Sequence, residues 1–303
     1  MDSVLQRLPQ GARVAIIRLR SMGDCILTTP AVAILKSSRP DLELAMVVED
    51  RFAPLFEGNR DIAAVFPPDR NALHNWRPAL TINFHGGGTS AWLTLSSGAA
   101  IRAGYAHFRY SFLYNVRIPT AQQILGVDRT THTAEHIASA MFYLGAARME
   151  IPRARLFASP TPLGGHYAVI HPFASEPGKT WPAERFCEVA RTLERSLDVQ
   201  PVFVGGAGDD LTPFDSWRTM GNTTLGELMS VISGASLFVG NDSGPAHMAA
   251  AFGVPAAVIF GNSDARIWGP WRTSSEILRA EGGIQSVTVP QVVAALERVR
   301  VRV

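Results

Sequence analysis

A glycine-containing turn at residues 240–247 is the first part of this sequence with residues suited to binding a ligand. An apolar run typical of a buried strand precedes it, and an Ala-rich, helix-favouring run that Gly253 can end follows it. Asp242 and Ser243 are N-cap residue types, and Gly244 allows close approach to the backbone. The free amides and positive dipole end of such a helix form an anion site. An ordinary capped helix fits the pattern equally well, so both interpretations stay open.

A carboxylate follows the first predicted strand, residues 14–17. Asp24 lies in the turn 21–24, on the side of a parallel sheet where ligands bind. In that place an aspartate can accept a proton from a substrate hydroxyl as a general base. The alternative is that Asp24 only caps the next helix.

Two further loops carry candidate polar groups. Lys179 and Ser175 lie in the loop 171–182, where a lysine at a strand's carboxyl end can meet a phosphate as a point charge. The alternative is a solvated surface lysine. Asp209 follows the glycine cluster 205–208 and could hold ribose hydroxyls or act as a turn residue. The cluster lacks dinucleotide-fingerprint spacing and is weak evidence.

Metal and nucleophile chemistry find little support. His132 and His136 are four residues apart, but no carboxylate or thiol pattern completes a metal site, and a solvated helix start is expected there. Cys25 and Cys187 are interpreted as small core residues. His85 and the three glycines after it fit either an approach site for an acceptor or a tight turn, and the turn is favoured. No metal is therefore predicted.

The order of apolar and helical runs predicts two α/β domains with parallel sheets. The segment 158–165 has linker composition, which places the domains at 1–160 and 161–303, with the final helix in the second domain or packed back on the first. A cleft between two such domains is the expected site. The predicted strands are residues 14–17, 42–48, 63–66, 80–84, 101–104, 167–170, 202–204, 236–239 and 255–260. The predicted helices are 25–38 (with a break at Pro30), 52–57, 91–97, 133–144, 183–196, 224–234, 244–252 and 292–299. Residues 109–123 are expected to be irregular.

Composition excludes several classes of protein. Of 303 residues, 47% are hydrophobic and 18% charged, and 28 basic against 26 acidic residues give no case for nucleic-acid binding. Two cysteines suit a reducing compartment. No signal peptide or membrane-spanning run is found, so a cytoplasmic protein that at most visits a membrane surface is expected.

Three ordered motifs resemble glycosyltransferase family 9, the bacterial ADP-heptose:lipopolysaccharide heptosyltransferases. The first is residues 17–24, IRLRSMGD, followed by TTP at 28–30. The second runs from His171-Pro172 to KTWPAERF at 179–186. The third is GNDSGPAH at 240–247, followed by Phe260-Gly261 and Trp268-Gly269-Pro270.

The resemblance implies a GT-B fold, two Rossmann-like domains facing each other across a cleft. It also implies an inverting transferase that needs neither metal nor cofactor and uses a nucleoside diphosphate sugar, ADP-linked heptose foremost. The acceptor would be a lipopolysaccharide-type saccharide, free or lipid-linked. By resemblance Asp24 is the base, and the donor is held by Ser175, Lys179, Asp209, Asp242, Ser243, Gly244 and His247. Arginines that could meet the acceptor, each equally a surface residue, are Arg18, Arg20, Arg51, Arg60 and Arg102. The alternatives are a GT-B nucleotide-sugar epimerase and a non-catalytic two-domain sugar-binding protein.

Overall fold

A computed structural model describes residues 3–161 and 163–301 of the chain. It divides into two compact units, Met1–Phe157 and Ala158–Val303. The sequence-based boundary between residues 160 and 161 falls in the segment that joins the last helix of the first unit to the first strand of the second. Among the described residues, no helix is both long and apolar enough to cross a membrane.

The first unit is built on one parallel sheet of short, buried strands. Its strands are β1 (Arg13–Ile17), β2 (Glu43–Val47), β3 (Ala64–Phe66), β4 (Leu80–Asn83), β5 (Ile101–Tyr105) and β6 (Val116–Ile118). Its helices are α1 (Met22–Ile26), α2 (Thr29–Ser38), α3 (Arg70–Trp76), α4 (Gly88–Ser96), α5 (Ala121–Leu125) and α6 (Thr133–Leu144), with 3-10 turns at Asp50–Phe56 and Ser111–Leu113.

The second unit repeats this plan. Its strands are β7 (Tyr167–His171), β8 (Gln200–Val204), β9 (Arg218–Met220), β10 (Leu237–Asn241), β11 (Ala256–Ile259) and β12 (Ser275–Leu278). Its helices are α7 (Ala183–Leu197), α8 (Leu225–Ser233), α9 (Gly244–Phe252), α10 (Ala265–Trp268) and α11 (Val289–Val301), with 3-10 turns at Pro177–Lys179, Thr212–Phe214 and Ile284–Ser286.

Both sheets have the same strand order. The first runs β3-β2-β1-β4-β5-β6 and the second β12-β11-β10-β7-β8-β9, which is the same order read from the other edge. This is the doubly wound order. The first three strands of each unit are added toward one edge of the sheet and the last three toward the other, so the direction of addition reverses between the first and fourth strands. Ligands bind beyond the carboxyl ends of the strands at that reversal, here β1 beside β4 and β7 beside β10.

Burial explains why these runs form central strands. Residues 14–17 of β1 and 168–170 of β7 are fully buried, because helices cover both faces of a parallel sheet. In the second unit Trp181, Phe186 and Phe203 form the core, and Val292 and Leu296 of α11 belong to it.

Most predicted elements are confirmed. Helices α1 and α2 are separate with Pro30 in the first turn of α2, Thr224 and Glu227 form a capping box, and Gly253 ends α9 at φ +80°. The prediction that residues 109–123 are irregular is wrong, since they contain β6 and the start of α5. The solvated helix start expected at His132 is also wrong. That side chain is buried and accepts a hydrogen bond from the Ala134 N–H.

Candidate active site

Asp24 lies beyond the carboxyl end of β1, in the first turn of α1. Ser21 is the N-cap residue, and Asp24 is its capping-box partner, so Asp24 helps to cap α1 from the third helical position rather than as the N-cap. One carboxylate oxygen accepts hydrogen bonds from the Ser21 N–H at 3.2 Å and the Ser21 hydroxyl at 2.9 Å. The other pairs with the Arg18 guanidinium. The Asp24 side chain is only 14% exposed, so its position is well fixed.

Arg18 connects the two strands at the chain reversal of the first sheet. It follows β1, and its guanidinium donates to the carbonyl oxygen of Phe84, which follows β4. The same group holds Asp24. The surface interpretation of this arginine is therefore wrong, because its side chain is 16% exposed and pairs with Asp24. Arg20 and Arg51 both pair with Glu49 instead.

The His85 loop is a tight turn. The His85 and Gly86 N–H groups donate to Oδ1 of the buried Asn83 at 2.9 and 3.1 Å. Gly86 has φ +76°, and a Cβ there would lie 2.7 Å from the Phe108 ring. Burial, then the charges of Arg18 and Arg20, lower the pKa of the His85 imidazole. His85 is therefore a neutral group beside the Asp24 cluster.

In the second unit, α9 begins directly beyond β10 with its first turn open. Ser243 is the N-cap residue, but its hydroxyl makes no cap hydrogen bond. Instead that hydroxyl donates to the Asn241 carbonyl at 3.1 Å and lies 3.2 Å from Nδ1 of His171, the last residue of β7. Burial lowers the pKa of His171 to about 4, so the imidazole is neutral at pH 7. Pro245 has no N–H and the Ala246 N–H donates to the Ser243 carbonyl at 3.1 Å, which leaves the Gly244 amide of the first turn for a ligand.

Asn241, the last residue of β10, is hydrogen-bonded to the loop that contains Lys179. Its Oδ1 accepts a hydrogen bond from the Trp181 N–H at 3.1 Å, and its Nδ2 donates to the Pro172 carbonyl at 2.8 Å. Asn241 is fully buried, and Trp181 is buried in the core. The loop is therefore held at both ends.

A close backbone contact fixes the middle of the same loop. A Cβ at Gly261 would collide with the carbonyl oxygen of Gly178, and one at Gly178 would collide with the Asn262 side chain. Only glycines allow the loop after β7 and the loop after β11 to meet in this way. Lys179, half-buried, is next to this contact.

Asp242 lies beside the anion-binding turn and carries an unusual carboxyl group. Burial raises the pKa of Asp242, while a hydrogen bond from the Ser263 hydroxyl and the charge of Lys179 act against that rise. Lys179 is close enough to Asp242 for its charge to lower the pKa of that carboxyl group. The helix start, one cation and one carboxyl group thus occupy the same edge of the sheet.

The remaining predicted donor residues are less constrained. Asp209 accepts a hydrogen bond from the Gly206 N–H at 2.7 Å, as a turn residue does, yet it is exposed and close enough to influence His171. Ser175 is exposed. His247 is buried in α9, with its ring centroid 6.4 Å from that of Trp268.

Three residues of the site had no role in the sequence-based prediction. Asn241 was placed in a turn rather than at the end of β10, and Ser263 and His171 were given no function. A polar residue ending an apolar run, as in Val239-Gly240-Asn241, was the available signal for the first. Within residues 3–161 and 163–301, no group of three or more His, Cys, Asp or Glu residues could hold a metal ion.

The first unit thus places a carboxylate beyond its first strand, and the second places a helix start, a lysine and a carboxyl group at one edge of its sheet. The family model described as glycosyltransferase family 9 (heptosyltransferase) matches residues 71–289. The chain belongs to this family and is a glycosyltransferase. The match favours transfer over the epimerase and binding-protein alternatives.

Individual relatives agree with this assignment. Lipopolysaccharide heptosyltransferase 3 of Escherichia coli is 27% identical over 294 residues, covering 84% of this chain and 83% of the relative. The crystal structure of a family 9 glycosyltransferase from Veillonella parvula superposes with a TM-score of 0.85 at 20% identity, covering 96% of this chain and 98% of that one. The structure of E. coli heptosyltransferase WaaC with ADP-2-deoxy-2-fluoro heptose superposes with a TM-score of 0.78 at 22% identity, covering 94% of this chain and 99% of that one. The predicted GT-B fold is confirmed.

Proposed function

We propose that the chain transfers heptose from ADP-heptose to a lipopolysaccharide core saccharide, with inversion at the anomeric carbon and without a metal. Two comparisons support the substrates. One relative is named a lipopolysaccharide heptosyltransferase, and a solved structure of similar fold was determined with an ADP-heptose analogue. The open first turn of α9 beside Lys179 is the observation that carries the proposal, because a transferase of this kind must stabilise a departing diphosphate.

The donor binds through its diphosphate. The amides at Ser243 and Gly244 and the positive end of α9 receive the phosphate oxygens, and Lys179 adds a full positive charge. Ser175 assists at the diphosphate or the sugar, and Asp242 and His247 lie against the sugar-phosphate. Asp209 takes the ribose hydroxyls, for which its exposed carboxylate remains available at the end of β8.

The chemical step is a single displacement. The acceptor hydroxyl oxygen forms a bond to the anomeric carbon while Asp24 takes the hydroxyl proton. The bond between that carbon and the diphosphate oxygen breaks, and ADP leaves with the electron pair. Attack from the face opposite the leaving group inverts the configuration. Arg18 and Ser21 orient the Asp24 carboxylate for this proton transfer.

The acceptor places the enzyme at a membrane. A lipid-linked core saccharide is presented at the cytoplasmic face of the inner membrane, so we propose that the chain works in the cytoplasm in peripheral contact with that face. Nucleic acid is not a partner in this proposal.

Asp24→Asn tests the assignment of the base. The amide keeps the shape of the side chain but cannot take the proton, so turnover should fall by about 100-fold to 10,000-fold. Release of ADP in the presence of acceptor is the measurement, and donor affinity should remain near that of the wild type. Asp128→Asn, at an exposed aspartate elsewhere in the first unit, is the matched control. Near-normal turnover of Asp24→Asn would refute the role of Asp24.

A further inference from the structure

One long segment of the first unit contains no acidic residue. Residues 70–127 include neither Asp nor Glu, although the whole chain balances 28 basic against 26 acidic residues. The same segment contains five arginines, Arg70, Arg77, Arg102, Arg109 and Arg117. The half of the first sheet from β4 to β6, with the helices around it, is therefore uniformly positive.

These arginines are not neutralised by residues elsewhere in the fold. Within the part of the chain that the structure describes, none of the five forms an ion pair. Arg102 is directed into the protein, where it donates to the carbonyl oxygens of Leu113 and Ala99. Arg109 and Arg117 are exposed. Their positive charge is available to an external partner.

The most exposed aromatic side chains of the protein lie in the same segment. Phe112 is 68% exposed and Trp92 is 61% exposed. Tyr110 connects them, because its ring centroid is 6.4 Å from that of Phe112, and a Cβ at Gly88 would lie 3.6 Å from its hydroxyl oxygen. Trp92 is one turn after Gly88 on the same face of α4.

Two of the exposed arginines lie beside these rings. The Arg109 guanidinium carbon is 5.7 Å from the centroid of the Tyr110 ring. Arg117 Nε donates to the Ser111 carbonyl at 3.2 Å, next to Phe112. We call the five side chains of Trp92, Arg109, Tyr110, Phe112 and Arg117 the aromatic-basic patch.

We propose that the aromatic-basic patch docks on the surface of an anionic lipid bilayer. Aromatic side chains prefer the interface between headgroups and acyl chains, and arginines at the same level meet headgroup phosphates. An acidic protein would also attract the arginines, but it would not account for the exposure of the large Trp92 and Phe112 side chains to water. The choice of a lipid bilayer over a protein as the partner also rests on the proposed function, since a lipopolysaccharide-type acceptor carries its own lipid.

Vesicle co-sedimentation of the full chain tests this docking. The probes are vesicles of phosphatidylethanolamine with phosphatidylglycerol, and neutral vesicles of phosphatidylcholine. The wild type should bind the anionic vesicles, and binding should weaken as salt screens the charges. Two double variants, W92S with F112S and R109Q with R117Q, should each lose binding. The arginine pair should lose about 25-fold, since each arginine near such a surface contributes about fivefold.

Matched controls distinguish docking from damage to the fold. Tyr143→Ser replaces an aromatic residue of the first unit that is 45% exposed outside the patch, and Arg195→Gln removes an exposed charge from α7 of the second unit. Both should bind vesicles like the wild type. ADP binding should be unchanged in all variants, which separates failure of the docking proposal from failure of the donor site.

Three results would overturn the proposal. They are no binding of the wild type to anionic vesicles at low salt, equal binding to neutral vesicles, and full binding by both double variants. A concentration-dependent dimer that W92S with F112S abolishes, without any vesicle binding, would instead assign the patch to contact between copies of the chain.

Discussion

The Asn241 side chain is hydrogen-bonded to both ends of the loop that carries Lys179, through the Trp181 N–H at 3.1 Å and the Pro172 carbonyl at 2.8 Å. One buried amide at the end of β10 thus fixes the loop after β7, at the reversal of the second sheet. The anion site at the start of α9 and the cation beside it are consequently parts of one structure, and their relative position depends on this residue.

Asn241→Ala should weaken both the fold and the donor site. The substitution leaves the Trp181 N–H and the Pro172 carbonyl without their buried partner, which should lower the free energy of unfolding by about 2–4 kcal/mol. ADP affinity should also fall, because Lys179 is no longer held. Urea unfolding and calorimetric titration with ADP are the measurements. Asn71→Ala, at an exposed position of α3, is the control and should change neither.

Gly261→Ala should displace the Lys179 loop. The added methyl group meets the backbone carbonyl of Gly178, which cannot move without moving its neighbour Lys179. We expect weaker ADP binding and lower thermal stability. Gly226→Ala is the control, since nothing lies within 4 Å of a Cβ at that helical position. It should stabilise the protein by about 0.5–1 kcal/mol. If Gly261→Ala bound ADP normally, the loop contact would have no part in donor binding.

Lys179→Ala should act on donor binding. Loss of a charge-assisted contact of about 1.5–3 kcal/mol corresponds to an affinity for ADP lower by about 10-fold to 150-fold. Lys179→Arg should recover part of it, because the positive charge is kept. Equilibrium binding of ADP at two salt concentrations is the measurement, with Arg195→Ala as a control for charge alone. Unchanged ADP affinity in Lys179→Ala would contradict the phosphate contact.

His171 should make the protein less stable in mild acid. Burial lowers its pKa from 6.5 to about 4, so the unfolded chain binds a proton more readily than the folded chain between these values. The contribution is fully present above pH 6.5 and is lost as pH falls toward 4. His136 acts in the same direction, for the same cause. Thermal unfolding at pH 7 and pH 5 should show a smaller difference in Tm for His171→Asn than for the wild type. An equal difference would show that His171 does not titrate in this way.

The sequence predicted the central strands because burial on both faces leaves long apolar runs. Residues 14–17 and 167–170 are of this kind, and β1 and β7 confirm them. Of the four edge strands, only β3 has an apolar run of this kind. Val116–Ile118, Arg218–Met220 and Ser275–Leu278 are short and partly exposed, and all three went unpredicted.

The chemistry of the site was more predictable than the contacts that position it. Asp24 and Lys179 could be proposed from their place after strands. The hydrogen bond from Arg18 to the Phe84 carbonyl was not predicted, because it depends on how β1 and β4 meet. The same holds for Asn241, whose partners are 60 and 69 residues away along the chain. Hydrogen bonds between residues so far apart in the sequence depend on the order of the strands in the sheet, and a local sequence pattern does not specify that order.

The crystal structure of the chain grown with ADP-heptose would test the central claim most directly. We predict that the diphosphate lies against the first turn of α9, with its oxygens within hydrogen-bonding distance of the Gly244 amide and of Lys179 Nζ. Density for the nucleotide away from residues 242–247, with the start of α9 left to water, would contradict it.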